Sequence, residues 1–156
     1  MKKFLLLLIA VIGLGSARAQ ISNEEFELVR SIFNSERKVL FAQNMELSTK
    51  QAELFWPVYE SYEKEKAPVG NARVKLVKQL VDDADKLTDD KIDALYKESF
   101  ALTMKRMKLR RKYYKIIKKE INTHVAARFL QLDEYVNTAV TAQLLDGIPL
   151  VGVKKD

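Results

Sequence analysis

The sequence predicts an all-α protein, and three observations support that fold class. The 156-residue chain has only five glycines and three prolines, so residues that break helices are few. Strand-like alternation of apolar and polar residues is absent, whereas apolar residues recur every three or four positions over long stretches. Helix-capping patterns precede several of these stretches. We therefore expect an elongated, antiparallel helical domain of four to five helices, arranged as a helical hairpin or a cradle.

Residues 1–19 have the features of a signal peptide. Two lysines precede an apolar run over residues 4–15, and Ala17-Arg18-Ala19 has the small-x-small pattern of a cleavage site. The run is too short for a membrane-spanning helix, which needs about 20 apolar residues. We therefore expect an exported protein that is cleaved before Gln20, with one helical domain over residues 20–156 and no stable membrane insertion.

Charge and cysteine content narrow the possible partners and the folding mechanism. The predicted signal peptide carries three basic residues and no acidic ones, so its removal lowers the formal net charge from +6 to +3. Export and this modest charge make nucleic acid an improbable partner. The chain has no cysteine, so folding must rest on apolar packing without disulfides.

The first two helix starts are predicted by capping boxes. Ser22 and Glu25 have the spacing of one such box, and the helix after it should run to about Ala42. Ser48 and Gln51 have the spacing of another, directly after Leu47, and predict a second helix.

Prolines interrupt the pattern of this second helix. Pro57 removes one backbone hydrogen bond and predicts a kink. The segment Ala67-Pro68-Val69-Gly70 is the strongest breaker inside the domain, so we expect a bend or short loop there. A separate helix should then follow over residues 72–85.

Two further helices complete the predicted domain. Thr88 is a cap, and two aspartates follow it at the positive end of the helix dipole. No breaker occurs before about Glu120, so this helix should be unusually long. Asn122 or Thr123 should cap a last helix that ends near residue 146.

Residues that could support catalysis are scarce. No cysteine is available as a nucleophile, His124 is the single histidine, and no phosphate-binding loop or hydrolase motif is present. We expect a non-enzymatic protein with no cofactor, in which His124 has a capping or surface role. A row of aspartates could suggest calcium, but the spacing of a calcium loop is missing, so helix capping is the preferred interpretation. These aspartates are Asp82, Asp83, Asp85, Asp89, Asp90 and Asp93.

The most informative segment is Lys105–Lys119, which has nine basic residues and no acidic one. Five lysines in it recur at alternating intervals of three and four, which places them along one side of a helix. We call these five the lysine row: Lys105, Lys108, Lys112, Lys115 and Lys119. Apolar residues of the same helix should pack on the opposite side, namely Leu102, Leu109, Tyr113, Ile116 and Ile117, with Met107, Tyr114 and Ile121 widening that face.

Two interpretations of the basic segment remain open. It could be an ordinary solvated helix face. However, like charges four residues apart each cost a few tenths of a kcal/mol, so a function that uses positive potential would explain them. Candidate partners are acidic protein segments, anionic lipid headgroups or an acidic face of another subunit. Together with Arg111, the lysine row is the basic part of a predicted protein-binding surface.

An aromatic set follows the second capping box, consisting of Phe55, Trp56, Tyr59 and Tyr62. Core packing is its first interpretation, because aromatic residues dominate core burial. If Phe55, Trp56 and Tyr59 were partly exposed, they would supply the apolar part of the protein-binding surface.

The sequence resembles a known family at several of these positions. Leu47, Ser48 and Gln51 match the L-T-x-x-Q motif of the periplasmic Spy/CpxP family. The continuation F-W-P-x-Y over residues 55–59, and the later R-K-Y-Y-K and A-A-R-F-L-Q-L stretches, resemble a subgroup of short bacterial envelope proteins. The second family motif is degraded, since residues 121–125 read I-N-T-H-V.

The resemblance implies a periplasmic protein that acts in the envelope stress response. Such a protein would bind unfolded clients without ATP, or would bind an envelope sensor or anti-sigma factor as a negative regulator. The resemblance also implies a cradle-shaped homodimer with positive charge and apolar patches on its concave side. A helical assembly module is a further alternative.

Overall fold

The computed structural model describes residues 35–83 and 86–146, with side chains up to residue 142. The predicted signal peptide and the capping box predicted at Ser22 lie outside these residues. The chain divides into two compact units, Met1–Glu36 and Arg37–Asp156. All contacts described below lie within the second unit.

Four helices make up the described part of the chain. Helix α1 is described over residues 35–44. Helix α2 is Thr49–Asp82, α3 is Asp89–Glu120 and α4 is Thr123–Asp146. No strand occurs among the described residues, and the prediction of an all-α fold is confirmed. With 34 and 32 residues, α2 and α3 are each about 50 Å long at 1.5 Å per residue.

The predicted caps form at the starts of α2, α3 and α4. Ser48 and Gln51 make a reciprocal box, in which the Gln51 N–H donates to Ser48 Oγ at 3.3 Å and the Ser48 N–H donates to Gln51 Oε1 at 3.0 Å. Thr88 Oγ1 accepts from the backbone of α3. Asn122 Oδ1 accepts from the Val125 N–H at 2.9 Å, so Asn122 and not Thr123 is the cap of α4. Each cap satisfies a backbone donor that the helix itself leaves unpaired.

The short loop predicted at residues 67–70 and the separate helix predicted over residues 72–85 are wrong, because α2 continues to Asp82 through both Pro57 and Pro68. A proline inside a helix costs about 3 kcal/mol, so packing on both sides of each proline must offset that cost. Phe55 and Tyr59 are buried on either side of Pro57, and half-buried valines follow Pro68. A Cβ atom at Gly70 would meet no atom within 4 Å. The glycine is therefore not required there by a close neighbour, and it does not interrupt the helix.

Contacts between side chains establish how the helices pack. Glu65 contacts Lys112 nearer one end of the α2–α3 pair, and Asp83 lies 3.7 Å from Lys91 at the other. Helices α2 and α3 are therefore antiparallel. Helix α1 packs against both α2 and α4, through Arg37 and through the ring of Phe41.

An aromatic cluster forms the centre of the core where α1, α2 and α4 meet. Phe129 of α4 is fully buried, and its ring centroid lies 5.0 to 6.2 Å from those of three other rings. The rings in contact with it are Phe41, Phe55 and Tyr62. Tyr62 also meets Tyr113 of α3 at 5.2 Å, so the cluster joins all four helices. Such burial is the main stabilising contribution in a domain without disulfides.

Candidate functional site

A buried ionic cluster fixes α3 and its basic segment against the other helices. Its centre is Asp133 of α4, whose side chain is fully buried. One carboxylate oxygen accepts from Arg37 and lies 3.4 Å from Lys66 Nζ, while the other lies 3.0 Å from Arg110 Nε. Glu63 adds a second carboxylate, 3.0 Å from Arg37 Nε. One carboxylate therefore connects charged groups from all four helices.

The cluster shifts the pKa values of its members. Burial acts to raise the pKa of Asp133, but the surrounding cations, above all Lys66 and Arg37, lower it below its ordinary value. Burial and the nearby charge of Arg37 lower the pKa of Lys66 to about 8. Burial and nearby carboxylates raise the pKa values of Tyr59 and Tyr62. Three cations contact the buried carboxylate of Asp133. Arg37 also contacts the half-buried carboxylate of Glu63, and Arg110 also pairs with the half-exposed Glu134.

Stability should rise with pH above pH 8 because of Lys66. Its folded-state pKa of about 8 lies below the ordinary value of 10.5, so between these values the unfolded chain binds more protons than the folded one. The free energy of unfolding should therefore increase by about 1–2 kcal/mol from pH 7 to pH 9.5. Urea unfolding at the two pH values measures this difference.

The variant Lys66→Met should remove most of that pH dependence. Lys64→Met is the matched control, because Lys64 is exposed and makes no ion pair within the described part of the chain. An equal pH dependence in Lys66→Met and the control would show that another group causes it. Above about pH 10 the raised pKa values of Tyr59 and Tyr62 should reverse the trend.

The structure places the lysine row on the exposed side of α3. All five lysines and Arg111 are exposed. The opposite side packs as predicted at Leu102, Tyr113 and Ile117, which are at most 8% exposed. Met107 was predicted on that packed face, but this is wrong: its side chain is 47% exposed, because it lies more than a quarter turn away from Leu102 and Tyr113.

The members of the basic surface differ in their pairing. Lys112 Nζ lies 2.6 Å from Glu65 Oε1, and Tyr113 donates to the same oxygen at 2.8 Å. These bonds lower the pKa of Glu65, and burial together with Glu65 raises the pKa of Tyr113 to about 12. Lys119 lies 3.7 Å from Glu120. The remaining basic residues of this surface are Lys105, Lys108, Arg111 and Lys115. None of them makes an ion pair within residues 35–83 and 86–146.

The aromatic part of the predicted surface needs correction. Phe55 and Tyr59 are 0% and 2% exposed, so neither can take part in an exposed protein-binding surface. They lie on the side of α2 that meets Phe41 and Phe129. Trp56 is half-buried and packs edge-on against both of them. The core interpretation of this set therefore holds for Phe55, Tyr59 and Tyr62.

The largest group of exposed apolar residues in the described chain lies on α3, where sequence reasoning did not place an apolar binding surface. Tyr96 and Phe100 are 47% and 66% exposed, and Met104 is 57% exposed. With Met107 they follow one another at intervals of four, four and three, which keeps them on one side of the helix. We call Tyr96, Phe100, Met104 and Met107 the apolar stripe. Its spacing is visible in the sequence, but only the structure shows that this side lacks a packing partner among the described residues.

The apolar stripe covers residues 96–107 of α3 and the lysine row covers residues 105–119, so the two meet where they overlap near residues 104–108. At 100° per residue their centres are about 100° apart around the helix axis. Met104 precedes Lys105, and Met107 precedes Lys108. A ligand lying along α3 would thus contact apolar side chains and unpaired positive charges together. Adjoining exposed apolar residues that form a continuous patch are a feature of interaction sites.

Other candidate chemistry finds little structural support. No group of three or more acidic, histidine or cysteine residues in the described chain is arranged to hold a metal ion. His124 lies exposed in the first turn of α4. None of the described helices is long and apolar enough to cross a membrane.

Comparisons with known proteins returned no relative. The chain matches no protein-family model, no curated protein and no solved structure. The resemblance to the Spy/CpxP family therefore stays a prediction that depends on the residues at 47–59 and on the later short stretches.

Proposed function

We propose that this protein is a periplasmic, ATP-independent chaperone-like protein of the envelope stress response. It would bind unfolded proteins through the adjoining apolar stripe and lysine row of α3. The observation that carries the proposal is the exposure, on one helix, of four large apolar residues that adjoin a series of unpaired cations.

Each half of this surface has a physical role in the proposal. Unfolded chains expose apolar side chains, and burying these against Phe100 and Met104 contributes about 25 cal/mol per Å². Positive charges attract acidic segments over a Debye length of about 10 Å at moderate salt. Methionine adapts its shape to different apolar partners, which suits a surface that must accept many sequences. No nucleotide, metal or catalytic group is needed.

An aggregation assay tests the apolar stripe. The chain from Gln20, the predicted mature form, should suppress aggregation of a denatured client without ATP. The double variant Phe100→Ser with Met104→Ser should need several-fold more protein for half suppression, since losing about 1.4 kcal/mol of binding is tenfold in affinity. Leu54→Ser with Val81→Ser is the control, because these two apolar residues are 43% and 42% exposed and lie on α2 instead of α3.

The same assay tests the basic part with two charge-matched variants. One changes four unpaired cations of α3 to glutamine: Lys105, Lys108, Arg111 and Lys115. The other changes four exposed α2 lysines that make no ion pair in the described chain: Lys50, Lys64, Lys75 and Lys78. Only the α3 variant should lose suppression and its salt sensitivity. Equal losses in both variants would show that net charge, and not the position of the charges on α3, causes the effect. If the unaltered protein gave no suppression at several-fold excess over the client, the proposal would be overturned.

A further inference from the structure

Two arginines at the α2–α3 interface have no acidic partner in the part of the chain that the structure describes, whereas the other buried or half-buried cations each lie close to a carboxylate. Six lysine or arginine residues in the described chain are buried or half-buried: Arg37, Lys66, Arg73, Arg106, Arg110 and Arg128. Four of them lie within 4 Å of a carboxylate oxygen. Arg73 and Arg106 have no carboxylate partner among the described residues.

These two arginines lie opposite each other. The contact between Glu65 and Lys112 fixes the antiparallel register of α2 and α3. Arg73 lies eight residues after Glu65 on α2. The antiparallel register places it level with the turn of α3 that contains Arg106. Burial and then the positive charge of Arg106 lower the pKa of Arg73. The two arginines therefore lie on facing turns of a half-buried interface, and neither has a carboxylate partner among the described residues.

Such an arrangement leaves two like charges without a compensating charge from the described residues. Charges removed from water are normally paired, because desolvation is otherwise uncompensated. Arg110, one turn beyond Arg106 on the same side of α3, has its acidic partners in Asp133 and Glu134. Arg106 is half-buried like Arg110 but has no such partner in the described chain. An external anion would supply the missing charge.

We propose that Arg73 and Arg106 form a binding site for a phosphate group. A phosphate group carries nearly two negative charges at neutral pH, which matches two guanidinium groups. Its oxygens accept paired hydrogen bonds from the planar guanidinium fork. Both arginines are only half-buried, so the site is reachable from solvent. Free phosphate and a lipid phosphate headgroup present the same chemistry. This proposal does not depend on client binding.

Thermal unfolding of the full chain tests the site. Phosphate at about ten times its dissociation constant should raise Tm by roughly 5 °C relative to chloride at equal ionic strength. Acetate at that ionic strength should give a much smaller rise. Equal effects of phosphate, acetate and chloride would overturn the proposal, because they would show general screening only.

Substitutions assign the effect to the two arginines. Arg106→Gln should unfold at an equal or higher Tm in chloride, since it removes repulsion on Arg73, and should lose the phosphate-dependent rise. Arg73→Gln should also keep or raise the Tm in chloride and lose the phosphate-dependent rise. It replaces Arg106→Gln as the test variant if Arg106→Gln folds poorly. Arg111→Gln is the control, because Arg111 is exposed on the same helix, and it should keep the rise. A phosphate-dependent rise that survives both Arg73→Gln and Arg106→Gln would overturn the site.

Two probes then separate the sources of phosphate. Calorimetric titration with inorganic phosphate should detect binding to the unaltered chain and at least a tenfold weaker affinity in Arg106→Gln. Flotation with phosphatidylcholine vesicles containing phosphatidic acid compares the same two chains. A difference between them in flotation supports a headgroup at the site, and calorimetric binding without that difference supports free phosphate. No calorimetric binding and no difference in flotation would overturn the proposal.

Discussion

Asp133→Asn is expected to destabilise the domain by about 3–5 kcal/mol, because it removes one partner from a buried charge cluster. The fully buried carboxylate contacts Arg37, Lys66 and Arg110. An asparagine has the same shape but no charge, so three cations would remain with Glu63 as the one carboxylate that is mostly buried. Urea unfolding followed by circular dichroism measures the loss.

Glu134→Gln is the matched control for this prediction. Glu134 is the next residue of α4 and pairs with the same Arg110 at 2.6 Å, but half of its side chain is exposed. Exposed ion pairs contribute about 0–1 kcal/mol, so this variant should be nearly as stable as the unaltered chain. Equal losses in Asp133→Asn and Glu134→Gln would mean that burial of the cluster has no special energetic role.

The parts of the fold that sequence predicted well depend on local interactions. A capping box requires only residues three positions apart, and the box at Ser48 and Gln51 forms as expected. The continuity of α2 through Pro68 could not be predicted in this way, because packing against α3 offsets a local cost. The cluster at Asp133 is still less predictable, since Arg37 is 96 residues away along the chain.

The candidate surface could likewise be predicted only where it depends on local helix geometry. Periodicity correctly separated the lysine row from the packed face of α3, since both follow from helix geometry. Which aromatic residues are exposed depends on the partner that each helix side meets. Phe55 packs against Phe129 of α4 and is buried, whereas Phe100 is 66% exposed. Both have the same chemistry, so composition alone could not distinguish a core residue from a contact residue.

Phe129→Ala should be the most destabilising apolar truncation, at about 3–5 kcal/mol. Its ring is fully buried among Phe41, Phe55 and Tyr62, which belong to two other helices. Because these neighbours are themselves held by further contacts, they cannot collapse fully into the space, and the cavity adds to the lost transfer free energy. Chemical denaturation measures the change in the free energy of unfolding.

Tyr135→Ala provides the aromatic control on the same helix. Its side chain is 55% exposed, so the change should stay within about 0.5 kcal/mol. If Phe129→Ala cost no more than this control, the aromatic cluster would not be the structural centre of the four helices. A large loss in Phe129→Ala alone would instead show that this ring holds the helices together, because it contacts Tyr62, which in turn contacts Tyr113 of α3.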